Sequence, residues 1–353
     1  MTKKTKAPTL SEVARKAGVG TTTVSRVING GNRVDPKTLA RVRRAIEALG
    51  YMPNQAARIL KGHRTKTIGL IIPSIADPFF ASCAEAAQVI ARTHDSLLIV
   101  TTTHNEPDAE IESVKVLMQH QTDGLIIAPA DSDNSALRNV LARASVPVVA
   151  LDRPLLHSSI PFVLADNFAG ANLATQHLLG HGYRRIVCLT GETSLYTIRE
   201  RISGYRQAIE SAGLPAIIDT SVTDYPSVEQ AIRVLLASPH PPDAIFTLKN
   251  SITINAFEAM LKLGVAIPDS VALLGYDDFE LADTVRPSIT VVRQPIDEIG
   301  RMAAEILFQQ LRPGSRARAD DDRPRQVQLG TRLIRRNSCG CTAPQLTPQA
   351  QNA

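Results

Sequence analysis

A chain of 353 residues is long enough for two or three domains, and its 44% apolar and 21% charged residues supply material for buried cores and exclude global disorder. Trp is absent and aromatic residues make up only 4%, so aliphatic packing must fill the interior and no site rests on indole stacking. No apolar run approaches the roughly 18–20 residues of a membrane span. The basic N-terminus MTKKTKAPTLSEV has no apolar stretch of the kind a secretory signal needs, so a cytoplasmic chain with no membrane partner is expected.

The net charge of +5 is unevenly placed. Residues 1–66 carry 15 Lys or Arg against Glu12, Asp35 and Glu47, a balance of +12 that leaves −7 on the remainder. A short cationic unit on a mildly acidic body is the footprint of a polyanion-binding head, which gains affinity by releasing counterions from phosphates.

Within that unit, Thr9 followed three residues later by Glu12 reads as a capping box opening a helix with Leu10, Val13, Ala14 and Ala17 on one face and Gly18 as its stop. A second helix is predicted from about Thr21, with Val24, Val27 and Ile28 inward and Asn29-Gly30-Gly31 ending it. Pro36 opens a third, whose apolar stripe is Leu39, Val42, Ile46 and Leu49. Two short helices joined by a tight turn and braced by a third form a helix-turn-helix, whose second helix enters the major groove.

TLSEVARKAGVGTTTVSRVINGG followed by VDPKTLARVRRAIEALGYMPNQAARILKG resembles the head of the LacI/GalR family of bacterial transcriptional regulators, continuously over about 55 residues. The resemblance implies a recognition helix at 21–28, with Thr21 and Thr22 reading bases and Thr23, Ser25, Arg26 and Asn29 touching bases or phosphates. Their chemistry agrees: hydroxyls and a guanidinium suit phosphate oxygens and base edges. It also places Thr9, Asn54 and Ala57 in the DNA-binding set, and makes 54–62 a hinge helix that drives Leu60, with Lys61 beside it, between base steps in the minor groove. Gly20 departs from the serine usual at that position, which puts one phosphate contact in doubt at little cost in capping.

From Ile68 onward, aliphatic runs at 68–72, 97–101, 124–128 and 147–151 alternate with amphipathic stretches. The pattern then repeats at 185–190, weakly near 216–222, and at 243–248 and 271–276. Continuous apolar strands separated by helices indicate buried parallel strands in right-handed βαβ units, here in two sets. The alternation gives an α/β chain with a three-helix head and a two-lobed, doubly wound parallel-sheet body, and the family resemblance implies the hinge helix and a body of the periplasmic-binding-protein type. Residues 8–62 form the DNA-binding domain and 63–341 an effector-binding and dimerisation domain. Its first lobe spans about 66–164 plus 293–323, and its second about 165–292 plus 324–341. The family resemblance places the chain crossings near 162–167, 289–295 and once more towards the C-terminus. The loop 312–326 is expected to be mobile and 342–353 a disordered tail.

Open parallel sheets bind ligands beyond the carboxyl ends of their strands. That rule selects Ser74, Asp77, Phe79 and Phe80, then Asp152 and Arg153, Arg199 and Arg201, Lys249 and Asn250, Asp277 and Asp278, and Gln294 after the later crossover. Carboxylates, guanidinium groups and amides beside phenyl faces suit a polyhydroxylated molecule. The motifs DPFF, LDR, RERISGY, GYDD and RQP are similar to the same family's effector domain and imply ligand positions at Phe79, Phe80, Asp152, Arg153, Arg201, Asp277 and Gln294. Lys249-Asn250 replaces the family's usual Asn-Asp, and Asp77 replaces an Asn. Lys249 therefore points towards an anionic effector such as a sugar acid or sugar phosphate, unless it pairs internally with Asp77 or Asp278, which leaves a neutral sugar.

Cys83 and Cys188 read as buried thiols. Cys339-Gly340-Cys341 has no evident second pair of Cys or His ligands in sequence, so no metal site is expected, and neither a cofactor nor catalytic residues are assigned. No dinucleotide fingerprint, P-loop, GxSxG elbow or HExxH appears, against an enzyme of the same fold. The basic head argues against a plain sugar-binding protein. The expected partners are a double-stranded palindromic operator, a carbohydrate-like effector and a second copy of the chain, repression being the expected sign. No C-terminal leucine heptad points to a tetramer.

Overall fold

The computed structural model describes residues 8–28, 34–52, 64–312 and 326–342. They fall into two compact units divided at Thr65 and Lys66.

The first unit contains α1 (Leu10–Ala17), α2 (Thr21–Ile28) and α3 (Pro36–Leu49). The Thr9 hydroxyl accepts the Glu12 N–H at 3.3 Å while the Glu12 carboxylate accepts the Thr9 N–H at 2.6 Å, so the capping box is reciprocal. Gly18 ends α1 at φ 64°, a left-handed conformation that favours glycine. The Asp35 side chain caps α3 through the Thr38 N–H, and Pro36 takes the first turn. Val13, Ala14, Ala17, Val24, Val42 and Ala45 are buried together, ringed by Val27, Ile28, Ile46 and Leu49, so Ala45 fills the centre where the stripe placed Leu39.

The second unit carries two six-stranded sheets. Sheet one consists of β1 (Thr67–Ile72), β2 (Leu97–Thr102), β3 (Gly124–Ile127), β4 (Val148–Leu151), β5 (Phe162–Ala165) and β11 (Gln326–Leu329), ordered β11-β5-β4-β3-β1-β2 and parallel throughout. Sheet two consists of β6 (Ile186–Leu189), β7 (Ile217–Asp219), β8 (Ala244–Thr247), β9 (Ala272–Tyr276), β10 (Thr290–Arg293) and β12 (Arg332–Ile334), ordered β12-β10-β9-β8-β6-β7, with β12 alone antiparallel.

Each sheet is covered on both faces, which is why its central strands are unbroken apolar runs. Helix α4 (Pro78–Thr93) and α11 (Ile296–Gln310) cover one face of sheet one, and α5 (Pro107–Gln119) and α6 (Ser135–Arg143) the other. Sheet two is flanked by α7 (Asn167–Gly180) and α8 (Tyr196–Ser211) on one side, with α9 (Tyr225–Leu236) and α10 (Asn250–Lys262) on the other. Helices α7 and α8 pack closely enough that a Cβ on Gly204 would stand 2.2 Å from the Phe168 carbonyl oxygen.

The chain passes between the sheets three times: β5 to α7, β10 to α11, and β11 to β12. The third passage corrects the sequence expectation. Residues 326–329 pair with β5 in sheet one, so the crossing falls after Leu329 and not at 323/324. The alternating exposed and half-buried QVQL of an edge strand carries none of the apolar continuity by which the other strands were placed.

No helix among the described residues is long and apolar enough to cross a membrane. The expected hinge helix at 54–62 and most of the loop 312–326 and of the tail lie outside the described residues.

Candidate functional site

Between the two sheets, at the carboxyl ends of their strands, lies a cleft of about 240 Å³. Its wall on the sheet-one side comes from Ser74, Asp77, Phe79 and Phe80 after β1, His104 and Asn105 after β2, and Asp152 and Arg153 after β4. The opposite wall is built from Glu192, Thr197 and Arg201 after β6, Lys249 after β8, and Asp277 after β9, with Gln294 at the second crossing. The two lobes offer matching carboxylates. Asp152 follows β4 at φ 65° and Asp277 follows β9 at φ 70°, both in the left-handed region where Asp is tolerated better than most residues.

Each lobe fixes its aspartate with an arginine. On one side Arg153 Nη1 donates to Asn105 Oδ1 at 2.7 Å and to the Pro129 carbonyl at 3.1 Å, while its Nε stands 3.3 Å from an Asp152 carboxylate oxygen. On the other, Arg201 Nε donates to Asn167 Oδ1 and Nη1 to the Leu248 carbonyl, both at 2.7 Å; Nη1 is 3.5 Å from Asp277, and the guanidinium carbon sits 3.7 Å over the Tyr276 ring. Asn167, buried at the start of α7 and two residues beyond the end of β5, is thereby a positioning residue for Arg201. Gln294 Nε2 donates to Asp277 at 2.5 Å.

Two buried polar atoms in these walls have no hydrogen-bond partner, Arg153 Nε and Gln294 Oε1. Arg153 Nε is held by the Asp152 carboxylate at 3.3 Å, which leaves the Gln294 Oε1 acceptor without a donor. Phe79 and Phe80 are buried edge to face, with centroids 5.0 Å apart, and supply an apolar floor.

The charges are largely matched inside the cleft. Burial pushes the Asp152 carboxyl up to about 6, against the pull of Arg153 and Arg201 and with the push of Asp277 and Asp77. Asp77 is likewise raised, chiefly by burial, although its side chain caps α4 through the Phe79 N–H at 3.0 Å. Lys249 Nζ pairs with Glu192 at 2.9 Å, and not with Asp77 or Asp278 as the sequence alternatives had it.

Phe79, Phe80, Asp152, Arg153, Arg201, Lys249, Asp277 and Gln294, with Ser74 and Asp77, therefore come together. Three other candidates lie elsewhere. Arg199 is exposed on α8, and Asn250 accepts the Ser251 N–H at the start of α10. Asp278 is taken by Arg293 from β10 and by Arg336 beyond β12, a clamp across the sheet-two ends of the last two crossings. Burial would raise the Asp278 carboxyl, but hydrogen bonds from Arg336 and Arg293 hold it below the usual range. Glu192, His104, Asn105 and Thr197 were missed. The strand-end rule applied to β2 finds His104 and Asn105, and applied to β6 it finds Glu192.

On the head, Thr21, Thr22 and Arg26 are exposed on α2, and Thr23 and Ser25 are partly so. The Thr9 side chain is engaged in the capping box. Asn29, Asn54, Ala57, Leu60 and Lys61 lie outside the described residues.

A correction concerns the C-terminal cysteines. Sequence spacing gave Cys339 and Cys341 no companions, yet the fold brings His177 and His181 of the α7 end against them, with all four ligand atoms within 4.8 Å of one another. The pairs are separated by some 160 residues, so no local motif announces them.

Residues 65–337 match the family profile described as periplasmic binding proteins and sugar binding domain of LacI family, and residues 9–54 match that of bacterial regulatory proteins, lacI family. The ribose operon repressor of Escherichia coli K12 is 31% identical over 306 residues, spanning 86% of this chain and 93% of that protein. The HTH-type transcriptional regulator CelR of Thermobifida fusca is 33% identical over 341 residues, 94% of this chain and 98% of its own. Among solved structures, the lac repressor dimer bound to operator and the anti-inducer ONPF superposes with a TM-score of 0.83 at 25% identity, covering 95% of this chain and 99% of that one.

Proposed function

Because the chain belongs to the LacI family of bacterial regulatory proteins, we propose that it is a transcriptional repressor whose hold on a palindromic operator is set by a neutral, sugar-like effector in the cleft. The observation that carries this reading is the cleft wall itself: paired aspartates and arginines from both lobes, an amide acceptor without a donor, and a phenyl floor.

Neutrality follows from the charges. Each cation in the cleft already faces an acid: Arg153 faces Asp152, Arg201 faces Asp277, and Lys249 faces Glu192. Asp77 adds a further carboxylate, so an anionic ligand meets no uncompensated cation. Carboxylates accepting from vicinal hydroxyls, with guanidinium groups donating back, favour an uncharged polyol. The cleft lies at or below the small end of ligand pockets, about 300–1,000 Å³, which favours a single sugar ring.

The head supplies the DNA contacts through Thr21, Thr22 and Arg26 on α2, with phosphate attraction from the +12 balance of residues 1–66. One head reads one half-site, so a homodimer on a two-fold site is the working assembly, as in the related lac repressor dimer. Occupancy of the cleft changes the angle between lobes, and reciprocity requires DNA to alter effector affinity by the same factor.

The test is calorimetric titration of the full chain against pentoses, hexoses, sugar acids and sugar phosphates, paired with operator-binding anisotropy over a salt series. A neutral monosaccharide should bind, shift operator affinity, and lose no more than about fivefold in affinity in Lys249→Ala, the scale of a half-exposed ion pair. Binding of only a sugar acid or phosphate, abolished by Lys249→Ala, would refute the neutral reading. No preference for any palindrome over random duplex would refute the repressor reading.

A further inference from the structure

We propose that His177, His181, Cys339 and Cys341 form a tetrahedral binding site for one zinc-class divalent ion, which staples the C-terminal segment of the chain to the end of α7.

The four ligand atoms are gathered as a coordination shell requires. His177 Nε2 lies 3.3 Å from Cys339 Sγ and 3.5 Å from Cys341 Sγ, and His181 Nε2 lies 3.2 Å from Cys341 Sγ. Bond lengths of about 2.3 Å to sulfur and 2.0–2.1 Å to nitrogen give S···N edges of about 3.6 Å in a tetrahedron. The three measured S···N edges lie within a few tenths of an ångström of that length, and the widest separation among the four atoms, up to 4.8 Å, closes by about 1 Å to take an ion. A single thiol–imidazole hydrogen bond accounts for one such contact. Two nitrogens and two sulfurs converging on one point are the donor set of a structural Cys2His2 site, and soft thiolates select zinc-class ions over magnesium or calcium.

The chain is shaped to present these groups. The histidines sit one helical turn apart, so they share a face. Gly340, at φ 89°, lets the backbone turn between the cysteines, and the Asn337 side chain holds that turn by donating to the Cys341 carbonyl at 3.2 Å. Behind the site, the Thr290 hydroxyl oxygen accepts the Arg336 N–H at 2.8 Å, so its own hydrogen is free for Cys339 Sγ at 3.0 Å. A hydroxyl donating to the sulfur is the outer-shell support typical of thiolate ligands. Two thiolates and two neutral imidazoles around a divalent ion make a neutral unit, which suits a site with Cys339 fully buried and His181 exposed as an entry path.

The expected role is structural. Cys339 and Cys341 follow β12, the last strand of sheet two, while α7 begins at Asn167, the residue that orients Arg201. An ion here fixes the end of the chain on the helix that supports the effector cleft.

The experiment uses the full-length protein purified without a polyhistidine tag. Metal analysis should find one zinc per chain. Replacement by Co2+ should give the visible bands of a tetrahedral site together with a thiolate-to-cobalt charge-transfer band. Chelation should lower the Tm by several degrees and make two thiols newly reactive. His181→Ala and Cys341→Ser, at the more exposed ligands, should each lose the cobalt spectrum while keeping the far-ultraviolet circular dichroism of the parent. A parent protein that retains no metal and develops no tetrahedral spectrum on adding Co2+ under reducing conditions would overturn the proposal. A cobalt spectrum that persists in both variants would do the same, and so would a Cys339–Cys341 disulfide that resists mild reductant.

Discussion

Acidification from pH 8 to pH 5 should weaken effector binding and strengthen the unliganded fold, and Asp152 is the reason. Its carboxyl is raised to about 6, first by burial, and an effector whose hydroxyls donate to it needs the ionised form. The apparent dissociation constant then grows as 1 + 10^(pKa − pH), about tenfold weaker at pH 5 than at pH 8. Stability runs the other way. A carboxyl whose folded pKa lies above its unfolded value gives stability that is full below the unfolded pKa and lost as pH rises through the folded one. Between pH 8 and pH 5 the rise from the ordinary carboxyl value of 3.8 to about 6 is worth roughly 1–2 kcal/mol for a group this buried. Glu110, fully buried and raised to about 7 by burial despite accepting the Ala130 N–H, acts with the same sign. Titration calorimetry with the tightest-binding sugar at half-unit steps of pH, alongside urea unfolding of the free protein, measures both slopes. Asp152→Asn should bind more weakly and lose most of the pH dependence of affinity. Affinity that is flat from pH 5 to 8 in the parent, or equally steep in the variant, would refute the assignment.

Arg201→Met should destabilise the protein by about 3–5 kcal/mol in urea unfolding, because it leaves Asp277 buried without its cation, and Asn167 Oδ1 and the Leu248 carbonyl without their donor. A loss under 1 kcal/mol would mean that these groups find solvent. Gly204→Ala places a methyl against the Phe168 carbonyl and should cost about 1–3 kcal/mol despite the better helix propensity of alanine, read as a lowered Tm. Thr9→Ala removes the side-chain half of the capping box and should cost the head about 1 kcal/mol, visible as earlier loss of helical signal on heating.

Much of this molecule is written locally. The parallel strands of the core announce themselves because both faces of each sheet are covered, so runs such as 68–72 and 271–276 are apolar throughout. The cleft aspartates and Arg153 are legible because they follow those strands directly, whereas Arg201 reaches the cleft from α8 beyond the end of β6. What escaped lies where the signal is non-local or polar. The edge strand β11 alternates half-buried and exposed residues and reads as loop, which displaced the third crossing. Asn167 is a helix-start residue whose importance appears only once Arg201 reaches it from α8. Lys249 was recognised as unusual, but its partner Glu192 stands at the end of a different strand, and that pairing reverses the charge argument about the ligand. The two histidines on α7 acquire meaning only from cysteines at the far end of the chain.

The triple passage between sheets also governs how the protein is born. As it leaves the ribosome, the sheet of the N-terminal lobe has its strands up to residue 165, but it waits for the helix at 296–310 to cover one face and for residues 326–329 to close its edge. The whole C-terminal lobe up to β10 is synthesised in that interval. An apolar face and an open strand edge are therefore presented during most of translation, a natural place for a nascent-chain chaperone to act. Premature termination between the start of α7 and residue 329 should yield not one finished lobe but two incomplete ones.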